Sequence, residues 1–353
     1  MSKFFSQRLT HLAPYVPGEQ PKDIKNLIKL NTNESPFAPS PKAVEAGKRA
    51  SERLHLYSDP TATALKRAIA KVYGVSENQI TVSNGSDEVL AFLFEAFCDD
   101  GAIINDITYG FYKVFASVFG VKTTVIPLKE DYSIDVKDYE GKKGTVFIAN
   151  PNAPTGIALS LDEIERILSQ DTSRLVVVDE AYVDFGADSA LALLDRYDNL
   201  VVVRTFSKSR SLAGARIGYA FSSEQIISDI ERVRNSFNPY NLGSVAIAMG
   251  EASMLDVEYF EKNRLAVMEN RARLVDGLKK QGFTVLDSKA NFIFAMPPDG
   301  DGEKLYKGLR ERSILVRYFN SQRLSAFARI TVGSKEQVDA LLTATVQIYG
   351  EEK

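Results

Sequence analysis

The side chains able to do chemistry in this chain cluster just after three short apolar runs. Residues 145–149 lead into Asn150-Pro-Asn152-Ala-Pro154-Thr-Gly156, and residues 175–178 into Asp179-Glu-Ala-Tyr182. Residues 200–203 lead into Arg204-Thr-Phe-Ser207-Lys208 and a glycine-bearing loop to Arg216. Singly, each has an ordinary reading: Asn152 as a turn residue, Asp179 as a helix cap, Lys208 as a solvated loop lysine. Together they deliver an amide, an acid, a phenol, a hydroxyl, an amine and a guanidinium. A lysine in such company suits amine catalysis, because burial readily lowers its pKa and leaves a neutral amine near working pH.

The rivals are few. The chain has only two histidines, His11 and His55. That argues against a histidine-rich zinc site and leaves little material for a Ser-His-Asp triad. Acid–base chemistry has to rest on Lys, Tyr and carboxylates. The single cysteine, Cys98, closes an apolar helical run and reads as a packed core residue, not a nucleophile.

The elements that position these groups alternate. Leu65, Ile69 and Val72 mark a helix face, and a β-branched patch follows at residues 80–82. Helices are expected at 87–97 and 111–119, with strands at 102–104, 123–126 and 145–149. Ser160-Leu-Asp-Glu163 reads as a capping box. Residues 175–178 and 200–203 are apolar throughout, as for strands buried between two helical layers. Alternating strands and helices predict a mainly parallel sheet, with ligands at the carboxyl ends of its strands. Beyond about residue 242 the pattern changes. A long helix is expected at 257–280, followed by strands at 283–286, 291–296, 314–318 and 328–332, and Ser334-Lys-Glu-Gln337 caps a last helix.

The 353 residues suffice for about two domains. With 44% hydrophobic and 25% charged residues the composition is that of a globular protein. A net charge of −3 supplies no field to draw it to nucleic acid or an anionic membrane. No stretch approaches the roughly 18 apolar residues of a membrane span, and the opening residues lack the long apolar run of a secretion signal. The expectation is a cytoplasmic protein with no nucleic-acid or membrane partner.

Ser207-Lys208-Ser-Arg-Ser-Leu212-Ala213-Gly214-Ala-Arg216-Ile-Gly218 closely resembles the lysine motif of the fold-type I aminotransferases. The segments at Asn150 and Asp179 resemble that family's other two signatures, in the same order, and the resemblance covers essentially the whole chain. Within the family, the histidinol-phosphate aminotransferase branch is the nearest match. The residues behind this are Leu30-Asn-Thr-Asn33-Glu34-Ser-Pro36, Tyr57-Ser-Asp-Pro60, Asn84-Gly-Ser-Asp87-Glu88, Pro239-Tyr-Asn241-Leu and Arg329-Ile-Thr-Val-Gly333. Ser58 stands where such proteins usually carry proline, and Ala153 where they carry asparagine.

The resemblance implies an α/β fold of type I. A large domain with a mainly parallel, seven-stranded-type sheet between helices (residues 51–249) would bind pyridoxal 5′-phosphate (PLP). A smaller α+β domain would comprise residues 30–50 and 250–353, and residues 1–29 would form an N-terminal arm. It implies that Lys208 holds the cofactor as a Schiff base and moves the Cα proton, and that Asp179 faces the pyridine nitrogen. Asn152 and Tyr182 would donate to the 3′-oxygen, and Tyr109 would stack on the ring. Ser86, Asp87, Ser207 and Arg216 would surround the cofactor phosphate, where a helix start and a guanidinium both favour an anion. Tyr57 would reach that phosphate from the other subunit of a homodimer.

Arg329 resembles the arginine that takes a carboxylate, and Arg317 the residue that meets a substrate phosphate, with Arg323 a nearby competitor. Tyr15 and Asn33 would line the substrate pocket with Asn152. The implied reaction moves an amino group between an amino phosphate, L-histidinol phosphate, and the 2-oxo acid 2-oxoglutarate, in histidine biosynthesis. Threonine-phosphate decarboxylases and aromatic amino-acid aminotransferases share the fold and are the alternatives. A PLP-binding regulator would need a basic helix-turn-helix segment, and residues 1–29 are too short for one.

Overall fold

The computed structural model describes residues 2–21 and 25–350. Its centre is a seven-stranded sheet, in the order Ile80–Asn84, Ile217–Phe221, Leu200–Thr205, Val176–Asp179, Thr145–Ala149, Ala102–Asn105, Thr123–Ile126. Ile217–Phe221 runs antiparallel to both of its neighbours, and the other pairings are parallel. The apolar runs are explained by two cores, one on each face. Val146, Ile148, Val176, Val178, Leu200 and Val202 enter one, while Phe147, Val177, Val201 and Val203 enter the other. Successive strand residues point to opposite faces, so a strand covered on both sides must be apolar at every position.

A second unit holds a four-stranded antiparallel sheet, ordered Arg317–Tyr318, Ala328–Thr331, Phe292–Met296, Thr284–Val285. Its core includes Leu274, Leu278, Ile293, Ile330 and Leu341. The 24-residue helix Val257–Lys280 joins the two units. Early in it, Arg264 and Arg271 donate to the carbonyls of Asp184 and Phe185 beside the large sheet. Late in it, Leu274 and Leu278 are buried in the small core.

Three expectations change. Residues 314–318 do not form one strand: Ile314–Leu315 pairs in parallel with Ile28–Lys29, and the chain changes sheets at Val316 before Arg317–Tyr318 pairs with Ala328–Thr331. Ile28–Lys29, expected in the N-terminal arm, is therefore a strand of the small unit. Helix Ser244–Leu255 crosses the expected boundary at residue 250 without a break. Its Ile247 and Met254 belong to the large core, because both lie on the face that packs toward the sheet. The helix expected at 111–119 and the strands at 123–126 and 145–149 lie where they were expected, and both capping boxes close.

Candidate active site

Three adjacent parallel strands, Thr145–Ala149, Val176–Asp179 and Leu200–Thr205, end at the same edge of the large sheet. Their carboxyl ends open into a cleft of about 360 Å³, lined by Asp179, Tyr182, Ser207, Lys208 and Arg216 among others, with Ser86, Asp87 and Tyr109 opposite. Of the fourteen residues singled out from the sequence, these eight share the cleft.

Asp179 is the electrostatic centre. Its side chain is buried, Tyr112 donates to Oδ2 at 3.0 Å, and the Ala181 amide donates to Oδ1 at 3.3 Å. Burial pushes its pKa up to about 7; the Tyr112 hydrogen bond opposes that rise and the charge of Asp87 adds to it. A carboxylate so desolvated calls for a cationic partner. No such partner contacts it among the described residues, and a protonated ring nitrogen fits that need.

The rim opposite is built for an anion. Ser86 and Asp87 begin the eleven-residue helix Ser86–Ala96, whose first amides lack helical partners. Gly85, at φ +76°, precedes it, and a side chain there would collide with the Arg216 guanidinium. Gly218 is equally required, since a Cβ would strike the Gly85–Ser86 backbone. These two glycines let the strand carrying Arg216 approach the helix start. Arg216 Nη2 lies 3.2 Å from Asp87 Oδ2, and Tyr109 donates to Asp87 Oδ1 at 2.7 Å. Burial, with Asp87 adding to it, raises the Tyr109 pKa far above its ordinary value, so its hydroxyl stays protonated. Helix amides, the Ser86 and Ser207 hydroxyls and Arg216 line this part of the cleft, and donors of these kinds suit an anion.

Lys208 is half-buried; its Nζ lies 3.5 Å from the Thr32 carbonyl and 5.6 Å from the Tyr182 ring centre. Tyr182 accepts a hydrogen bond from Asn33 Nδ2 at 3.1 Å. Asn33 is itself buried at φ 55° and tied to Thr331 and Asn291 of the small unit. Asn152 is also buried, but both of its donors are engaged, by the Ile107 carbonyl and Thr155 Oγ1. Donation to a ligand would require it to exchange one of them.

Arg317 and Arg329 sit directly opposite one another on neighbouring antiparallel strands, so their side chains share a face. Both guanidiniums lie against Phe319, at 5.5 and 5.7 Å from its ring centre. Arg329 also covers Phe292, which meets Tyr182 edge-on at 4.9 Å. Burial lowers the Arg329 pKa, Tyr182, Tyr15 and Tyr109 oppose this, and Arg317 adds to it. Arg329 Nε is buried without a partner. Arg323 is differently placed. It is committed to Asp106 at 2.8 Å and to the carbonyls of Leu128 and Lys129, tying the two units together. Tyr15 stacks on Phe111 at 4.4 Å beside the cleft mouth. Tyr57 lies outside the cleft, 84% exposed and stacked on Tyr240.

Sequence reasoning had no role for Tyr112, Thr32 or Glu34. Tyr112 lies in the first turn of helix Phe111–Phe119, three residues after Tyr109, which precedes that helix, and this closeness to Tyr109 was the available signal. Glu34 lines the cleft beside Thr32, bonded to Lys29 at 2.5 Å.

The family model described as aminotransferase class I and II matches residues 25–344. A histidinol-phosphate aminotransferase of Acinetobacter baumannii is 53% identical over 351 residues, 98% of this chain and 97% of that protein. The chain belongs to the histidinol-phosphate aminotransferase family. Histidinol-phosphate aminotransferase 1 of Bordetella parapertussis is 49% identical, with 99% of each chain covered. Among solved structures, the histidinol-phosphate aminotransferase of Sinorhizobium meliloti in complex with pyridoxal-5′-phosphate superposes with a TM-score of 0.86 at 22% identity, covering 100% of this chain and 99% of that one. The L-threonine-O-3-phosphate decarboxylase of Porphyromonas gingivalis gives 0.78 at 21% identity, covering 92% and 100%. Such structural likenesses establish the fold alone. An aminotransferase and a decarboxylase both have it, so the reaction must be argued from sequence relatives and from the site.

Proposed function

We propose that this aminotransferase uses PLP to exchange the amino group of L-histidinol phosphate with 2-oxoglutarate, giving imidazole-acetol phosphate and L-glutamate in histidine biosynthesis. The observation that carries the substrate assignment is the opposed pair Arg317–Arg329, two cations facing each other beside the cleft. Like charges directly across a sheet repel, and a dianion between them removes the repulsion. L-histidinol phosphate has no carboxylate, so its phosphate is the anion this pair would receive. 2-Oxoglutarate presents carboxylates to the same guanidiniums, which lets one pocket serve both halves of the exchange. Arginine suits both anions because its planar fork matches phosphate and carboxylate alike.

Bound PLP supplies an electrophilic carbonyl and a conjugated ring that takes up the electron pair left at Cα. The chain's residues do the rest. Lys208 Nζ would hold the cofactor and, as a free amine, would take the proton from the substrate Cα and return it. Asp179 would keep the ring nitrogen protonated, and that cation would supply the partner the buried carboxylate lacks among the described residues. Tyr182, oriented by Asn33, would donate to the 3′-oxygen, as would Asn152 on exchanging one of its present acceptors, and Tyr109 would cover the ring. The Ser86 and Ser207 hydroxyls, the helix-start amides at Ser86 and Asp87, and Arg216 would hold the cofactor phosphate, and the Arg216 guanidinium would then share its present Asp87 contact with that anion. Tyr15 closes over the substrate from its stack on Phe111.

The enzyme acts as a homodimer in the cytoplasm on this reading, with Tyr57 reaching the neighbouring subunit's phosphate cradle. Its exposure and the absence of a hydrogen bond to its hydroxyl among the described residues support that role.

The test is direct. The purified protein should be yellow, and borohydride should fix the cofactor to the peptide containing Lys208. The holoenzyme is then mixed separately with histidinol phosphate, phenylalanine and threonine phosphate. Fast bleaching of the visible band by the first alone is the expected result, and CO₂ release from threonine phosphate would replace transamination with decarboxylation.

A further inference from the structure

Behind the cleft, on the opposite face of the same strand ends, lies a buried ionic cluster that the reaction does not use. Strand alternation puts it there. Asp179 points to the cleft, so Glu180 points away; Thr205 lines the cleft, so Arg204 points away. Arg204 is 5% exposed and Glu180 is 2% exposed. Arg204 Nη2 lies 2.8 Å from Glu180 Oε2, and Nε donates to the same oxygen at 3.0 Å. Nη1 donates to Asp184 Oδ1 at 3.2 Å and to the Tyr73 hydroxyl at 3.1 Å, and Nη2 to Ser189 Oγ at 2.7 Å. The other Asp184 oxygen, Oδ2, accepts from Ser209 Oγ at 2.5 Å.

Each partner neighbours a residue of the cleft. Glu180 follows Asp179, Asp184 lies two residues after Tyr182, and Ser209 follows Lys208. Arg204, at the end of the strand that leads to Lys208, therefore holds Glu180 and Asp184 of the segment that carries the acid and the phenol, and Asp184 in turn holds Ser209 beside the amine. The two segments come from different strand ends, and the ladder stops short of Asp184 and Ser209: its last bonds run from the Glu180 amide to the Val203 carbonyl and from the Phe206 amide to the Ile217 carbonyl. An ion pair this buried is a poor source of net stability, since its desolvation offsets most of its attraction. Its geometric demand is high, because an arginine fork bonded to two carboxylates tolerates little displacement of either.

We propose that Arg204, Asp184 and Ser209 form a positioning cluster that fixes Lys208 relative to Asp179 and Tyr182. The cluster touches neither cofactor nor substrate and acts through the backbone of the segments it joins. Its role rests on the PLP reading given above. Ser209 is the most informative member, because removing its hydroxyl severs the Asp184–Ser209 bond beside Lys208 and leaves the Arg204–Glu180 pair intact.

The experiment compares holoenzyme of the wild type with S209A, D184N and the double variant S209A/D184N. Three quantities are read: visible circular dichroism per bound cofactor, kcat and KM for histidinol phosphate, and the thermal midpoint. Visible circular dichroism reports the asymmetry with which the protein holds the ring, and a defect of stability alone leaves it unchanged. The expected result for S209A and for D184N is a reduced visible signal and a kcat lower by about tenfold, with KM within about twofold. The thermal midpoint of S209A should stay within about 3 °C of the wild type. D184N leaves one acceptor where the carboxylate offers two to Arg204 and Ser209, so both substitutions weaken the Asp184–Ser209 bond and the double variant should be no worse in kcat than the poorer single variant. Wild-type dichroism and kcat in S209A overturn the proposal, as do losses that multiply in the double variant. A wild-type protein that shows no visible band with PLP overturns the cofactor reading beneath it, and that failure is seen before any variant is made.

Discussion

Arg317 and Arg329 face each other as cross-strand partners with their guanidiniums against the same ring, Phe319. Neither is paired with a carboxylate among the described residues: Arg317 donates to the Pro17 carbonyl and Arg329 to that of Asn31. Two cations held together without a counter-ion repel one another, which an anion between them would relieve, and burial already lowers the Arg329 pKa.

Substituting either arginine should therefore act on substrate binding. R317A and R329A should each raise KM for histidinol phosphate about 10- to 100-fold, the loss that follows removal of hydrogen bonds to a charged group. R329K should not recover the wild-type value, since an ammonium lacks the fork. R323A should behave differently: KM nearly unchanged, but a lower thermal midpoint, because Arg323 ties Asp106, Leu128 and Lys129 to the small unit. Steady-state kinetics and a melting curve on the four variants separate the two roles. A KM defect in R323A as large as that in R317A would reassign the phosphate contact.

Asp179 makes the apoenzyme sensitive to pH. Its pKa is raised to about 7 in the fold, against an ordinary carboxylate value near 4 when unfolded. Between those values the folded state binds the proton and the unfolded state does not, so stability falls as pH rises through this window. Its contribution is fully present below pH 4 and is lost above 7. Against the background of the other carboxylates, the apo wild type should lose thermal stability between about pH 4 and 7 more steeply than D179N. With PLP bound, the ring-nitrogen cation stabilises the carboxylate, and this part of the pH dependence should shrink. Parallel melting curves for apo wild type and apo D179N across that range would remove the assignment.

Much of this arrangement was legible in the sequence, for identifiable reasons. Strands buried on both faces are apolar throughout, so residues 145–149, 175–178 and 200–203 announced themselves, and their parallel pairing followed from the helices between them. The chemistry-bearing residues lie just past those runs, where a parallel sheet presents ligands. What was not legible depends on contacts distant in sequence. Arg323 and Arg317 are both arginines in a plausible segment, and only the fold commits one to Asp106 and opposes the other to Arg329. The change of sheet at Val316 is likewise invisible in a run of apolar residues, because both partner strands lie elsewhere in the chain. Tyr112 was overlooked because it reads as core until Asp179 is seen to accept its hydroxyl.

Gly85 sets the distance between Arg216 and the helix start. G85A adds a methyl group at φ +76°, where L-residues are strained, and directs it into the Arg216 guanidinium. The Arg216 side chain must move away, and the helix amides lose their cationic companion. PLP should dissociate at least about tenfold faster from G85A than from the wild type, by the loss of one charge-assisted contact to the cofactor phosphate. Fluorescence-monitored release of the cofactor measures this, and wild-type retention would mean that Arg216 does not hold the phosphate.

Tyr57 is the residue whose proposed role demands a second subunit. It is 84% exposed in the single chain, an unusual position for a tyrosine already stacked on Tyr240. If it completes the neighbour's cradle, Y57A and K208A should complement one another. Each homodimer of K208A lacks both lysines, and each homodimer of Y57A lacks both phosphate contacts. A mixed dimer has one intact site, formed by Lys208 of the Y57A chain and Tyr57 of the K208A chain. Random reassociation of equal amounts makes about half the dimers mixed, so activity should recover to about a quarter of the wild type at limiting PLP. Were Tyr57 to serve its own subunit, the intact lysine and the intact tyrosine would remain in different sites, and mixing would return no more than the Y57A chains contribute alone. Light scattering that found the active species to be a monomer would remove the basis for the crossing.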